Sequence, residues 1–223
     1  MATPQTNASN SQSAAGAPPK IMVCQGDLPK GIKFAQNQMA VDTETLGLNP
    51  HRDRLCVCQV ADGHGNVWLV QFDGKNYKAP NLKAYLSDPK LKKLFHFGRF
   101  DIAVLEHAIG CVIENVYCTK IASKLTRTYT DRHGLAALCQ ELLGITLDKQ
   151  QQTSHWAAAE LSEAQKLYAA NDVLYLHGLV EAFKPRLADV NRTEIAQKCF
   201  DFLPTRARLD LAGWPEEDIF AHS

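Results

Sequence analysis

A change of pattern near residue 75 predicts an α/β chain, with helices on both sides of a mixed sheet in an α/β/α sandwich of layers. Before that point, β-type runs are separated by short turns, which makes antiparallel pairs. After it, short apolar runs alternate with helical periods, which brings helices across the sheet. A third observation locates the sheet centre: Met39 to Val41 is continuously apolar, as expected of a strand buried on both faces.

Taken in order, residues 1–20 contain almost no large apolar group and read as a disordered tail. Ile21 to Gly31 is an edge strand or turn, and the strand ending in Asp42 follows. Arg54 to Ala61 is a strand, Asp62 to Asn66 a turn, and Val67 to Phe72 the hairpin partner. Asn81 to Leu86 forms a short helix. Lys92 to Phe97 is a strand feeding a helix from about Arg99 to His107, which Gly110 terminates. Val112 to Val116 is another strand, followed by a helix over Thr119 to Leu125 and a polar loop over Thr126 to Arg132. Leu135, Leu138, Cys139, Leu142 and Leu143 mark a helix that stops at Gly144. A polar loop over Asp148 to Ser154 and then Trp156 precede a long helix. That helix starts at Ser162, with Gln165 placed for a capping box, and ends at Lys184 because Pro185 follows. The organisation expected is a tail (1–20), one domain (21–185) and a C-terminal helical segment (186–223) that covers the domain or makes a homodimer contact.

Composition narrows the classes. The 223 residues are 45% apolar, enough for a substantial core. No apolar run approaches the roughly 20 residues of a membrane span, and the N-terminus lacks the segments of a secretory signal. The 7 cysteines are odd in number, scattered and without a Cys-x-x-Cys pair, which reads as reduced thiols in a cytoplasmic protein. Lys+Arg and Asp+Glu balance at 24 each, so any nucleic-acid contact rests on a local patch.

Three stretches carry chemistry. Side chains alternate along a strand, so Asp42 and Glu44 point to one side, roughly 7 Å apart along the chain. Two carboxylates sharing a face repel each other, and a divalent cation between them relieves that repulsion; a strand end emerging into solvent is the plain alternative. Asp101 sits in the first turn of a helix entered from a strand's C-terminal end, where open sheets place their sites, although an acid there also suits helix electrostatics. Tyr168 and Asp172 are four apart on an otherwise apolar stripe. A buried, unpaired aspartate would cost several kcal/mol, so Asp172 needs a cation, an arginine or a backbone amide.

Together, Val41-Asp42-Thr43-Glu44-Thr45, His96 to Asp101, and Tyr168-x-x-x-Asp172 resemble the three motifs of the DEDD family of 3′-to-5′ exonucleases. The tyrosine resembles that of the DEDDy branch, and Cys118 to Ala122, Leu135 to Gly144 and Tyr168 to Leu176 are similar to its ribonuclease D group. The resemblance implies a ribonuclease H-like fold with a five-stranded mixed sheet and two divalent cations, Mg²⁺ or Mn²⁺. By this likeness Asp42, Glu44 and Asp172 hold the first ion, Asp42 bridges to the second, and Asp101 reaches the second mainly through water. Tyr168 orients the attacking water, since a phenol with a pKa near ~10 is a poor base at neutral pH. The activity implied is a two-metal-ion exoribonuclease acting on a single-stranded or frayed RNA 3′ end and releasing nucleoside 5′-monophosphates. Single-stranded DNA is the alternative substrate, because no motif visibly reads a 2′-hydroxyl. An inactive nucleic-acid-binding domain is the other alternative, but it would be expected to have lost one of the acids.

Substrate contacts follow from the same likeness and from charge. Thr43, Thr45 and Leu46 are placed for the terminal nucleotide, with Leu46 wedged against its base. Phe100 can stack or pack, and His96 can approach the phosphate or serve the structure. Lys120, Lys124, Arg127 and Arg132 form a basic run for backbone phosphates, or else a solvated loop. Gln150, Gln151, Gln152 and Ser154 offer neutral groups along the strand's path. The ribonuclease D group carries helical accessory domains after the nuclease, and the 38 residues beyond Pro185 are too few to hold one.

Overall fold

The computed structural model describes residues 18–147 and 154–222. The expected tail up to residue 17, and the expected Gln150, Gln151 and Gln152 contacts, lie outside the described residues.

Among the described residues, six strands form one sheet: β1 (Lys20–Gln25), β2 (Gln38–Thr45), β3 (Leu55–Ala61), β4 (Asn66–Gln71), β5 (Lys92–Phe95) and β6 (Val116–Cys118). Their spatial order is β1-β4-β3-β2-β5-β6. The three strands β2, β3 and β4 are antiparallel, as their short connections require, while β1 on β4, β5 on β2 and β6 on β5 are parallel. The count is six rather than five because Lys20 to Gln25 pairs along its whole length with Asn66 to Gln71. The hairpin turn between β3 and β4 is pinned by Asp62, whose Oδ1 accepts from the backbone N–H of His64 at 2.7 Å and of Asn66 at 3.1 Å.

The helices are α1 (Pro80–Ser87), α2 (Arg99–Ile109), α3 (Thr119–Thr126), α4 (Leu135–Leu138, continued as a π-turn to Leu143), α5 (Glu163–Leu174), α6 (Leu176–Asp189) and α7 (Thr193–Leu211). Helices α5 and α6 cover one sheet face; α2 lies on the other, with α7 packed on α2 and β6. Gly110 at φ +66° and Gly144 at φ +71° end α2 and the π-turn in left-handed caps.

Three boundaries differ from the sequence reading. The strand expected over Val112 to Val116 begins at Val116, because Asn115 turns the chain at φ +52° just before it. The strand expected to reach Phe97 ends at Phe95, since Phe97 at φ +68° breaks the extended backbone. The long helix divides at Tyr175, and its second half continues through Pro185 to Asp189. Proline removes one backbone donor, but the carbonyl it orphans belongs to exposed Glu181, which water can reach, while buried Phe183 and Leu187 anchor the last turns.

The capping box at Ser162 holds: its hydroxyl accepts from the Gln165 N–H at 3.2 Å, and Gln165 Oε1 accepts from the Ser162 N–H at 3.0 Å. This fixes where α5 starts and hence the rotation at which Tyr168 and Asp172 face the sheet. Ser162→Ala is expected to cost about 1 kcal/mol in urea unfolding; no change in midpoint would show the box to be redundant.

Candidate active site

The site forms where the C-terminal end of β2 meets α5 on one side and the start of α2 on the other. Strand alternation directs Asp42 and Glu44 toward α5, and Asp172, with Tyr168 one turn earlier, comes down onto them. One ligand oxygen from each of Asp42, Glu44 and Asp172 lies within 4.8 Å of the others, and all three side chains are half-buried.

Thr43 points to the opposite face, where α2 lies. Its side chain is buried, and its hydroxyl donates to Asp101 Oδ1 at 2.6 Å. Its expected contact with a nucleotide is therefore left to the backbone, because the hydroxyl is used to hold an acid. Asp101, buried in the first turn of α2, follows the tight turn His96-Phe97-Gly98. A Cβ on Gly98 would sit 2.6 Å from Phe95 side-chain atoms, so only glycine lets α2 start this close to β5.

Burial raises the proton affinity of all four acids, and neighbouring acids add to it at Asp42, Glu44 and Asp172. Burial, then the charges of Asp101, Asp172 and Glu44, lift Asp42 well above the usual carboxylate range. Burial, followed by Asp172 and Asp101, pushes Glu44 up to about 9. Burial takes Asp101 to about 7 against the opposing Thr43 hydrogen bond. Asp172 also reaches about 7, through burial and Asp101, with a Tyr168 hydrogen bond opposing. Tyr168 is itself raised, by burial and then by Asp172, Glu44 and Asp42, so at neutral pH it is a phenol that donates. Clustered hard oxygen donors whose charges repel suit a divalent cation, which turns that repulsion into attraction.

These groups lie in a cleft of about 970 Å³ that also takes in Thr45, Leu46, His96, Phe100 and Lys120. Leu46 is exposed in it; Thr45 Oγ1 donates to the Gly47 carbonyl at 2.5 Å; Phe100 is half-buried against the core. His96 shares a hydrogen bond of 2.9 Å with the Thr119 hydroxyl, and burial followed by Lys120 pushes its pKa down to about 4, so it is neutral and not a phosphate-binding cation.

The basic run separates into two kinds of residue. Arg127 is only 1% exposed: its guanidinium pairs with Glu141 and donates to Ser123 Oγ at 3.0 Å and to the Arg132 carbonyl at 2.6 Å. The expectation that it reaches a phosphate is corrected, because its donors are spent on pinning the 127–132 loop. Arg132 is exposed.

Several residues of the site went unnoticed in the sequence. Gln59, fully buried directly across from Asp42, donates to Asp42 Oδ2 at 3.3 Å. Trp156, read from the sequence only as part of the connection leading into the third motif, stands beside Tyr168 with ring centroids 6.0 Å apart. Asp210, Pro215 and Glu216 from the chain's end line the same cleft, and Arg99 Nε donates to Asp210 Oδ2 at 2.6 Å. The only signal for Gln59 was its polarity within an apolar strand, and the C-terminal residues carried none.

This geometry is that of a nuclease built on paired carboxylates, and the chain belongs to the 3′-5′ exonuclease family, whose model matches residues 21–188. Its fold is ribonuclease H-like. It is 55% identical to Brucella melitensis NrnC bound to pGG, with a TM-score of 0.89 over 92% of this chain and 100% of that one. A structure of the same protein with bound Mg²⁺ is 54% identical, with a TM-score of 0.87 over 92% and 100% of the two chains. Ribonuclease D of Acidiphilium cryptum is 30% identical over 72% of this chain, which spans 40% of that relative's length.

Because the folded acids bind protons more tightly than unfolded ones, they do not weaken the fold while protonated, below about pH 4. They weaken it progressively as pH rises through about 7 for Asp101 and Asp172 and about 9 for Glu44. In chelator the melting temperature is expected to fall over that window. Mg²⁺ should raise it more at about pH 8 than at about pH 5. An equal or absent shift at both pH values would count against a cation among these acids.

Proposed function

We propose that the chain hydrolyses the 3′-terminal phosphodiester of short single-stranded RNA, proceeding 3′ to 5′ and releasing nucleoside 5′-monophosphates with two divalent cations, Mg²⁺ or Mn²⁺. The observation that carries this reading is the meeting of Asp42, Glu44 and Asp172 oxygens within 4.8 Å, with Asp101 and Tyr168 at their flanks, in a cleft open to solvent. The relative bound to pGG, matched over its whole length, supports a short oligonucleotide as substrate.

Asp42, Glu44 and Asp172 would hold one cation, and Asp101, steadied by Thr43, would face a second beside Asp42. Bound cations supply Lewis acidity that activates water and stabilises a departing oxygen. Tyr168, protonated at neutral pH, directs the attacking water by hydrogen bonding rather than by taking its proton. Water oxygen adds at phosphorus, the bond to the 3′ oxygen breaks, and that oxygen leaves as the new 3′-hydroxyl. Leu46 and Phe100 give the terminal nucleotide apolar walls, and Lys120 and Arg132 give the backbone positive charge. The 7 unpaired thiols fit a reducing, cytoplasmic setting, and among the described residues no helix is long and apolar enough to cross a membrane.

The test is incubation with 5′-labelled single strands of RNA and DNA in Mg²⁺, Mn²⁺ or chelator. A ladder shortening from the 3′ end of RNA is expected only with metal, and Asp42→Ala should abolish it. Tyr168→Phe should keep metal affinity and lose roughly 100-fold or more in rate. A ladder that persists in chelator would refute the mechanism, and a preference for DNA would refute the substrate.

A further inference from the structure

Phe97 is, among the described residues, the one whose backbone fits its side chain least. Among the described residues, the other non-glycine residues in the left-handed region are Gln36, Asn37, Asn115 and Asn191, all amides; Phe97 adopts it, at φ +68°, with a bulky ring. Bulky residues rarely occupy this region, and strain of this kind persists where function requires the side chain. Core packing does not explain it: Phe95, two residues earlier, is fully buried, whereas Phe97 is 49% exposed.

The ring's surroundings indicate its use. Phe97 lines the carboxylate cleft, and the Lys120 ammonium sits 4.0 Å from its ring centroid. Lys120 also borders a second hollow, of about 610 Å³, lined by Lys124, Thr128, Thr130, Asp131 and His133, where two lysines outweigh one carboxylate. Lys120 therefore joins the carboxylate cleft to a net-positive hollow suited to backbone phosphate, and Phe97 lies against it on the cleft side. A flat, half-exposed ring backed by a cation is the surface on which single-stranded bases stack without sequence preference.

We propose that Phe97 is a stacking platform for the base of the nucleotide immediately 5′ of the scissile phosphodiester, with Lys120 against one face of the ring and the base on the other. This rests on the exonuclease reading for the direction of the strand. Lys120 lines both the cleft and the hollow and lies against the Phe97 ring, so an upstream backbone drawn to the hollow passes this ring, while Leu46 is left for the terminal nucleotide. Strain in the turn is thereby exchanged for a fixed ring, which loses little freedom when a base arrives.

The test measures anisotropy of 5′-fluorescent short RNAs carrying a non-hydrolysable terminal linkage, in Mg²⁺, against wild type, Phe97→Gly and Phe97→Leu. Phe97→Gly suits the left-handed backbone, so its melting temperature should equal or exceed that of wild type. Both variants should bind intact RNA roughly 5- to 100-fold more weakly, the worth of one base–aromatic stack. An RNA abasic at the nucleotide 5′ of the terminal linkage should bind wild type and variants alike. Wild-type affinity in both variants would overturn the proposal, as would a loss that persists with that abasic RNA or is erased instead by an abasic terminal nucleotide. Separate cleavage assays keep the two readings apart: wild type that binds RNA in this Phe97-dependent way but cleaves none refutes the exonuclease reading and leaves the platform standing.

Discussion

Four carboxylates are crowded and taken out of water at the end of one central strand, and the cost of holding their charges there is the constraint around which the fold is arranged. Asp42, Glu44, Asp101 and Asp172 each bind a proton more tightly than an ordinary carboxylate does, chiefly because they are taken out of water. Bringing them together opposes folding unless a cation joins them, so the packing around them must hold them in place. Strand β2 supplies that hold. It is hydrogen-bonded on both edges, to β3 and β5, and Met39, Ala40 and Val41 are fully buried immediately before the first acid.

Strand alternation then divides the acids between two faces and gives each face its own support. On the α5 side, Asp42 is steadied by Gln59 and Asp172 by Tyr168; on the α2 side, Thr43 holds Asp101. The division matches the chemistry, because Asp42, Glu44 and Asp172 share one ligand cluster and Asp101 approaches it from across the strand. The helix-start signals act at this level too. The Ser162 capping box sets the rotation of α5, and Gly98 sets how near α2 begins to β5, so two local backbone features place half of the acids.

The C-terminal helix ties these parts together from outside the region matched by the family. Asp210 on α7 receives Arg99 at the start of α2 and also Arg206, while Arg208 pairs with Glu106 near the other end of α2 at 2.8 Å. His51 Nε2 approaches the Leu211 carbonyl at 3.0 Å, linking α7 to the loop that follows Leu46. The helix that presents Asp101 is thus clamped at both ends by residues past 188, where the family match stops. The end of the chain is consequently a wall of the cleft.

What the sequence determined by itself was whatever local geometry controls. The shared face of Asp42 and Glu44 follows from strand alternation, the shared face of Tyr168 and Asp172 from helical periodicity, and the stops at Gly110 and Gly144 from their left-handed caps. The tertiary structure decided whatever depends on a partner distant in the chain. Thr43 reads as a side-chain contact for the nucleotide until Asp101 arrives 58 positions later to accept its hydroxyl, and Arg127 reads as a phosphate binder until Glu141 and the Arg132 carbonyl enclose it. The sixth strand needed β4 as its neighbour, and Pro185 could remain inside a helix because buried Phe183 and Leu187 held the turns around it. Periodicity reports which way a side chain points, but a buried polar group is defined by the partner it finds, and that partner is fixed only when the chain has folded.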